Sequence, residues 1–472
     1  MKTMSFMKLG AASCRLSEGG RFRRVLRLGA AACAALGAGF LLAGEVPSAP
    51  DLRSLVVLND DGGWCWFQDE RAVICKGRLV VGSVAAGRFE PSRRGDIEAV
   101  VYDLQTGAKT RCLLHDHLQL DDHDSPVFLL RGDGRLLALY AKHGPENRFY
   151  YRVSEAGGFT RWGPERTYSP SRSTRLTYSN LMRLADEGGR IYDFFRGLDG
   201  KWKPSYVYSD DDGETWRKGG IVIQSPAARP YVRYVSDGRA TIHFLFTEGH
   251  PRDYDNSLYH MVYRGGMLRR SDGAPIAPLS KGLSRPDLAT RIFRGDPDHV
   301  AWGVDIELDV KGRPCAVYSV QVGSAGLPPG QGGDDLRYRY ARWDGSRWRD
   351  YPLAHAGTRL YAGEDDYSGL AAIDPRDVNT VFISTNADPV NGKPLISLAD
   401  GRRHYEIFQG RTEDGGKSWR WTPVTRDSVV DNLRPIIPKP ESGRTVLLWL
   451  RGKYRAYTRY EQEAVMLPLP SR

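Results

Sequence analysis

The chemistry-bearing stretch of this chain begins at Asp121-Asp122-His123-Asp124-Ser125-Pro126, where an imidazole sits among carboxylates just before an apolar run. That run, Val127-Phe128-Leu129-Leu130, leads through a Gly132-Asp133-Gly134 turn into Leu136-Leu137-Ala138-Leu139-Tyr140, and a second imidazole, His143, follows. Two apolar runs joined by a glycine-bearing turn read as a β-hairpin, so its open ends lie side by side. The pattern therefore predicts His123 and His143 as neighbours at one rim of a sheet. Imidazoles titrate near neutrality, and a pair of them can move protons. The surrounding carboxylates would orient His123 and raise its pKa. A structural role for both histidines is the bland alternative.

Further polar groups flank strand-like segments. Arg175-Leu176-Thr177-Tyr178-Ser179-Asn180 precedes one, and Phe194-Phe195-Arg196-Gly197 ends one. Arg229-Pro230-Tyr231-Val232-Arg233-Tyr234 enters the next, and Thr247-Glu248-Gly249-His250-Pro251-Arg252-Asp253 leaves it. Arginine, tyrosine and histidine at loop positions suit recognition of a carboxylated or sulfated sugar, because guanidinium forks bind such groups in bidentate fashion. Arg229, Tyr231 and His250 are the candidate substrate-binding residues. Glu364, Asp365 and Asp366 form a carboxylate cluster that reads as structural or calcium-binding rather than catalytic.

The elements that must position these groups are strands. Leu79–Ser83, Ala99–Tyr102, Ile191–Phe195, Thr241–Phe246, Ala316–Val320, Val381–Ser384 and Val446–Leu450 are apolar runs of strand length, separated by repeated Asp-Gly turns. No amphipathic run of helical period persists, so the chain is all-β. Two octets, Ser209 to Trp216 and Thr412 to Trp419, share the pattern Ser/Thr-x-Asp-x-Gly-x-Ser/Thr-Trp. That is the Asp-box of sialidase-like propeller blades, a turn in which Asp and hydroxyl side chains bond the backbone and Trp packs between sheets. At about 60 residues per four-stranded blade, the chain beyond residue 50 predicts a single seven-bladed β-propeller spanning residues 50–472.

Residues 1–49 are a different material. Arg21, Arg23, Arg24 and Arg27 precede an apolar stretch from Leu28 to Ala43, followed by small residues, the pattern of a cleaved export signal. A mature chain starting near residues 45–51 and exported to the periplasm or beyond is expected. The whole chain carries a formal net charge of +10; the leader removes seven basic and two acidic side chains, leaving +5. That mild, dispersed excess argues against nucleic acid and suits an anionic polymer. A monomer without a stable membrane partner is expected. Cys65, Cys75, Cys112 and Cys315 remain after cleavage; an exported protein could pair them in three ways, with Cys65 and Cys75 facing across one hairpin as one option.

Asp-Asp-His-Asp-Ser-Pro, Tyr140-Ala141-Lys142-His143-Gly144, Phe195-Arg196-Gly197, Arg229-Pro230-Tyr231, Thr247-Glu248-Gly249-His250, Tyr361-Ala362-Gly363-Glu364 and Ser384-Thr385-Asn386-Ala387-Asp388 together resemble the BNR-repeat propeller proteins that include the ulvan lyases and rhamnosyl-glucuronate lyases. The resemblance implies a polysaccharide lyase cleaving rhamnose-(α1,4)-glucuronate in an anionic uronate-containing polysaccharide by β-elimination. It implies Arg196 as neutraliser of the uronate carboxylate, His123 as base or acid, and Tyr178 as its partner, with His143 orienting His123 or touching substrate. The chemistry requires no cofactor, and a structural calcium or zinc ion at an unassigned site is what the family implies. The alternatives are a sialidase-like hydrolase and a non-catalytic carbohydrate-binding propeller.

Overall fold

The computed structural model describes residues 54–470, apart from 70, 173–174, 200, 228, 324–326 and 329. The predicted export signal lies outside the described residues. Seven antiparallel sheets follow one another along the chain, as the sequence predicts. Their innermost strands are Ala72–Cys75, Val127–Leu130, Thr177–Leu184, Val232–Ser236, His299–Leu308, Ala371–Ile373 and Asp431–Ile436, here taken as blades 1 to 7. Six sheets have four strands. Blade 4 has six, because Met267–Arg269, Pro275–Pro278 and Thr290–Phe293 extend its outer edge.

The ring closes through its first strand. Val56–Asn59 pairs with Arg459–Pro468, so the start of the described chain supplies the outer strand of blade 7. The strand runs are continuously apolar because both faces of each blade are covered. In Thr380–Thr385, Val381 and Ile383 pack toward blade 5 while Phe382 packs toward blade 7. The same alternation sends Leu79 and Val81 toward blade 7 and Val80 toward blade 2. A distinct apolar cluster therefore fills each interface between neighbouring blades.

Both Asp-boxes lie between the third and fourth strands of their blades, 3 and 6. In the first, Ser209 Oγ accepts the Gly213 N–H at 2.8 Å and Asp211 Oδ1 accepts the Thr215 N–H at 2.8 Å. Thr412 and Asp414 repeat these bonds to Gly416 and Ser418 at 2.9 and 3.0 Å.

The segment between the outer strand of blade 7 and the inner strand of blade 1 plugs the axis. Trp64, Cys65, Trp66 and Phe67 are all buried there. Inner-strand arginines hold it by its carbonyls: Arg434 donates to Trp64 O, and Arg233 to Trp66 O and Gln68 O. The pairing that the sequence left open is not formed. All four described cysteines are free and buried. Cys75 faces Arg78 across its hairpin, Cys65 belongs to the plug, Cys112 donates to the Thr160 carbonyl at 3.3 Å, and Cys315 packs between blades 5 and 6.

Candidate functional site

The hairpin of blade 2 does what its sequence predicts. Val127 pairs with Leu139 and Leu130 with Leu136, and the His123 and His143 rings stack at 3.8 Å with an interplanar angle of 13°. His123 sits in a single 3-10 turn, Asp122–Asp124, capped by Asp121, whose Oδ1 accepts the His123 N–H at 3.0 Å. The same carboxylate bridges both rings: Oδ1 lies 2.5 Å from His123 Nδ1 and Oδ2 lies 2.9 Å from His143 Nδ1. With both Nδ1 atoms tied to one carboxylate and the rings nearly parallel, both Nε2 edges project away from Asp121. The rim position predicted for His123 is corrected: it is only 4% exposed, enclosed by the plug and by Tyr178, and His143 is the more open at 21%.

A bulge positions the next pair. Thr177 pairs with Arg196, and the register then shifts before Asn180 pairs with Phe194. Tyr178, in that bulge, adopts φ +65°, which turns its ring toward the site. Its ring is 5.1 Å from His123, and the Arg196 guanidinium lies 4.6 Å above its centroid. Glycine must follow Arg196, because at φ +112° a Cβ on Gly197 would come within 1.6 Å of the Arg175 carbonyl oxygen. Arg196 is also 5.1 Å from the Trp202 ring and 4.9 Å from Tyr231. It is 6% exposed, makes no salt bridge among the described residues, and its buried Nε and Nη1 have no hydrogen-bond partner. A buried guanidinium lined by three aromatic rings, hydrogen-bonded to Tyr231 and without an acidic partner among the described residues, has the charge to receive an anion.

Electrostatics sort the groups. Burial works against the His123 imidazolium, but Cys65, Tyr178 and Asp121 outweigh it and raise its pKa well above the usual histidine value, the direction the sequence predicts. Burial, and then the His123 charge, push His143 down to about 4. Burial also opposes ionised Asp121, but His123 and the two imidazole hydrogen bonds hold it below the usual carboxylate range. Burial raises the Tyr178 phenol well above its ordinary value. Near neutrality the stacked pair thus shares one proton over a carboxylate, beside a neutral phenol.

Tyr231 joins this cluster, 6.0 Å from Tyr178 and 5.4 Å from His250. His250 is 2% exposed; its Nδ1 accepts the Arg252 N–H at 3.1 Å and its Nε2 lies 3.6 Å from Glu364. Burial, then Arg252 and Arg229, push its pKa well below normal. Arg229 is not brought in as a free cation, because its guanidinium is bound to Asp253. The carboxylates at 364–366 do not converge on an ion. Glu364 accepts from Arg252 at 2.9 Å, Asp365 from the Gly330 and Gly332 N–H groups, and Asp366 from Gln321 at 2.7 Å. Among the described residues these three carboxylates are not grouped closely enough to share one ion.

Among the described residues, groups close enough to share an ion are Asp121–His123–His143, Cys65–Asp122–His123 and the largely exposed Asp96–Asp116–His117. The first set is already satisfied by its imidazole–carboxylate bonds, and an ion in either of the first two would occupy His123.

Sequence reasoning passed over three contributors. Tyr457, in the turn before the last strand, is set edge-on to both imidazoles at 5.2 and 5.6 Å, and its carbonyl accepts the Asp122 N–H at 2.9 Å. Trp202 stands 6.4 Å from His143, and the Trp66–Phe67 plug floors the site with Trp302 at 4.3 and 5.5 Å. The run Trp64-Cys65-Trp66-Phe67 was the available signal, since a dense aromatic run between two strands has to be buried somewhere.

No curated protein sequence matches the chain. Among solved structures, an ulvan lyase, a polysaccharide lyase, with -[GlcA(1-4)Rha3S]- bound superposes with a TM-score of 0.64 at 15% identity, covering 87% of this chain and 95% of that one. A second ulvan lyase structure gives 0.63 at the same identity and coverage. The α-L-arabinofuranosidase of Fusarium graminearum, with arabinobiose, has a TM-score of 0.39 at 14% identity, covering 72% and 91%. At 15% identity the likeness to the two ulvan lyase structures establishes the propeller fold. The sequence pattern of BNR repeat-containing family members matches residues 91–356, and on that match over more than half its length the chain belongs to the BNR repeat-containing family.

Proposed function

We propose that this propeller is a polysaccharide lyase that cleaves a rhamnose–glucuronate linkage in an anionic polysaccharide by β-elimination. The observation that carries the reading is Arg196, buried, charged and without an acidic partner among the described residues. A uronate carboxylate would complete it. Neutralising that carboxylate acidifies the C5 proton by stabilising the enolate that forms when the proton leaves. The unprotonated Nε2 of the histidine pair takes the C5 proton, because Asp121 holds the Nδ1–H tautomer. The Tyr178 phenol gives its proton to O4 as the C4–O4 bond breaks and the C4=C5 bond forms. Proton return from the histidine pair to the phenolate restores the starting state. The reaction uses no cofactor, and this reading places no ion on His123.

A hydrolase would be built differently. A sialidase needs three arginines around its carboxylate and an ordinary glycosidase two opposed carboxylates. Here Arg229 and Arg252 are bound to Asp253 and Glu364. The ulvan lyase that shares the fold carries a glucuronate–rhamnose chain, which supports this substrate class. The test is the ultraviolet absorbance of the conjugated C4=C5 uronate product on ulvan, on rhamnosyl-glucuronate ends and on other uronate polymers. Cleavage without that chromophore establishes a hydrolase, and binding without cleavage a lectin-like propeller.

A further inference from the structure

Away from the axis, a groove of about 510 Å³ runs along the flank between blades 5 and 6. Its volume falls in the range of sites that take a small molecule or a few sugar units. One wall is the strand that follows the second Asp-box, where Trp419 and Trp421 line the groove with ring centroids 6.1 Å apart and an interplanar angle of 27°. Trp419 belongs to the turn motif, packs edge-on against Tyr340 at 5.2 Å and donates its N–H to Gly416 O at 3.1 Å. Trp421 is outside the motif. It lies across Gly410, where a Cβ would come within 2.6 Å of the indole, so a glycine is required opposite it and its remaining surface lines the groove.

The other groups give the groove a sign. Lys417 is exposed, and its ammonium has no hydrogen bond or ion pair among the described residues. Arg337, across the groove, is bound to Asp335 at 2.7 Å and presents Nη1 3.3 Å from His355 Nε2. Val390, 72% exposed, forms the lip. Parallel aromatic faces suit the apolar faces of pyranose rings, and an uncompensated ammonium suits a sugar carboxylate or sulfate.

We infer that this groove is an accessory binding site for a distal segment of the same anionic polysaccharide. The inference rests on the substrate class proposed above. Holding a second stretch of one chain raises the effective concentration of the next linkage at the Arg196 site without any new contact there.

The experiment compares ulvan polymer with an ulvan tetrasaccharide, too short to span both places. Trp421→Ala and Lys417→Glu should each raise KM for the polymer about tenfold, by loss of the second attachment, with kcat/KM on the tetrasaccharide unchanged. Unchanged polymer KM in a folded Lys417→Glu variant overturns the proposal, and since Lys417 is exposed this variant decides the matter even where Trp421→Ala folds poorly. Should the native protein form no unsaturated product, the lyase reading fails separately. The groove is then read by retardation in gels containing ulvan. Mobility restored by both substitutions supports the site, whereas equal retardation of native and variants, or none for the native protein, overturns it.

Discussion

Replacing Arg196 by methionine tests the site at its most exposed assumption. In the free protein this guanidinium is 6% exposed without an acidic partner among the described residues, a burial that costs several kcal/mol. Against that stand three aromatic faces at 4.6, 5.1 and 4.9 Å. Each such contact contributes about 0.5–2 kcal/mol, so the two effects nearly cancel. Methionine keeps most of the volume and removes the charge, so stability should change by no more than about 1 kcal/mol, or rise. Turnover should fall by about 10²- to 10³-fold, or roughly 3–4 kcal/mol of transition-state stabilisation. Arg196→Lys should recover only part, because the fork that meets a carboxylate with two hydrogen bonds is lost. Unsaturated-product formation and thermal melting on the same preparations decide it. A variant within tenfold of native turnover, or one whose lost activity tracks a large fall in melting temperature, would refute the assignment.

The remaining expectations concern protons and packing. The accepting imidazole is the unprotonated one, so kcat/KM should be flat through neutrality and fall as pH drops through about 4, where His143 protonates; an acid limb centred between 6 and 7 contradicts the pairing. His143→Ala should abolish product, since it removes the accepting imidazole, at little cost in stability, and His123→Ala should also abolish it while costing about 1–3 kcal/mol, because it strips a buried partner from Asp121; full activity in either folded variant would sink the mechanism. Tyr457→Ala should lower activity up to about tenfold through loss of two edge-on ring contacts, with Tyr457→Phe close to native. In blade 4, His243 Nδ1 lies 3.0 Å from His260 Nε2, and burial pushes His243 down to about 4. The unfolded chain takes that proton below about 6.5 and the folded one does not, so stability should be lost as pH falls from about 6.5 to about 4, by at most about 3 kcal/mol from His243. His243→Gln should flatten that slope in acid melting curves, and an unchanged slope would show that other groups set it.

Short-range chemistry was legible in the chain itself. Apolar runs of strand length, Asp-Gly turns and two Asp-boxes determine strands, hairpins and blades, because each depends on neighbours a few residues away. The His123–His143 contact belongs to that class, since one hairpin brings the two rings together. Gly197 after Arg196 belongs there too, its requirement set by the facing strand. What ring closure assembles was not legible. The Trp64–Phe67 plug, the edge-on approach of Tyr457 and the Arg252–Glu364 pair join residues from blades far apart in sequence. Nor does local spacing show that one carboxylate, Asp121, serves both histidines, or that His123 is buried rather than at a rim. Only the closed propeller decides which side chains face water and which lose it, and that desolvation separates the pKa values of two identical imidazoles and leaves Arg196 without an acidic partner among the described residues.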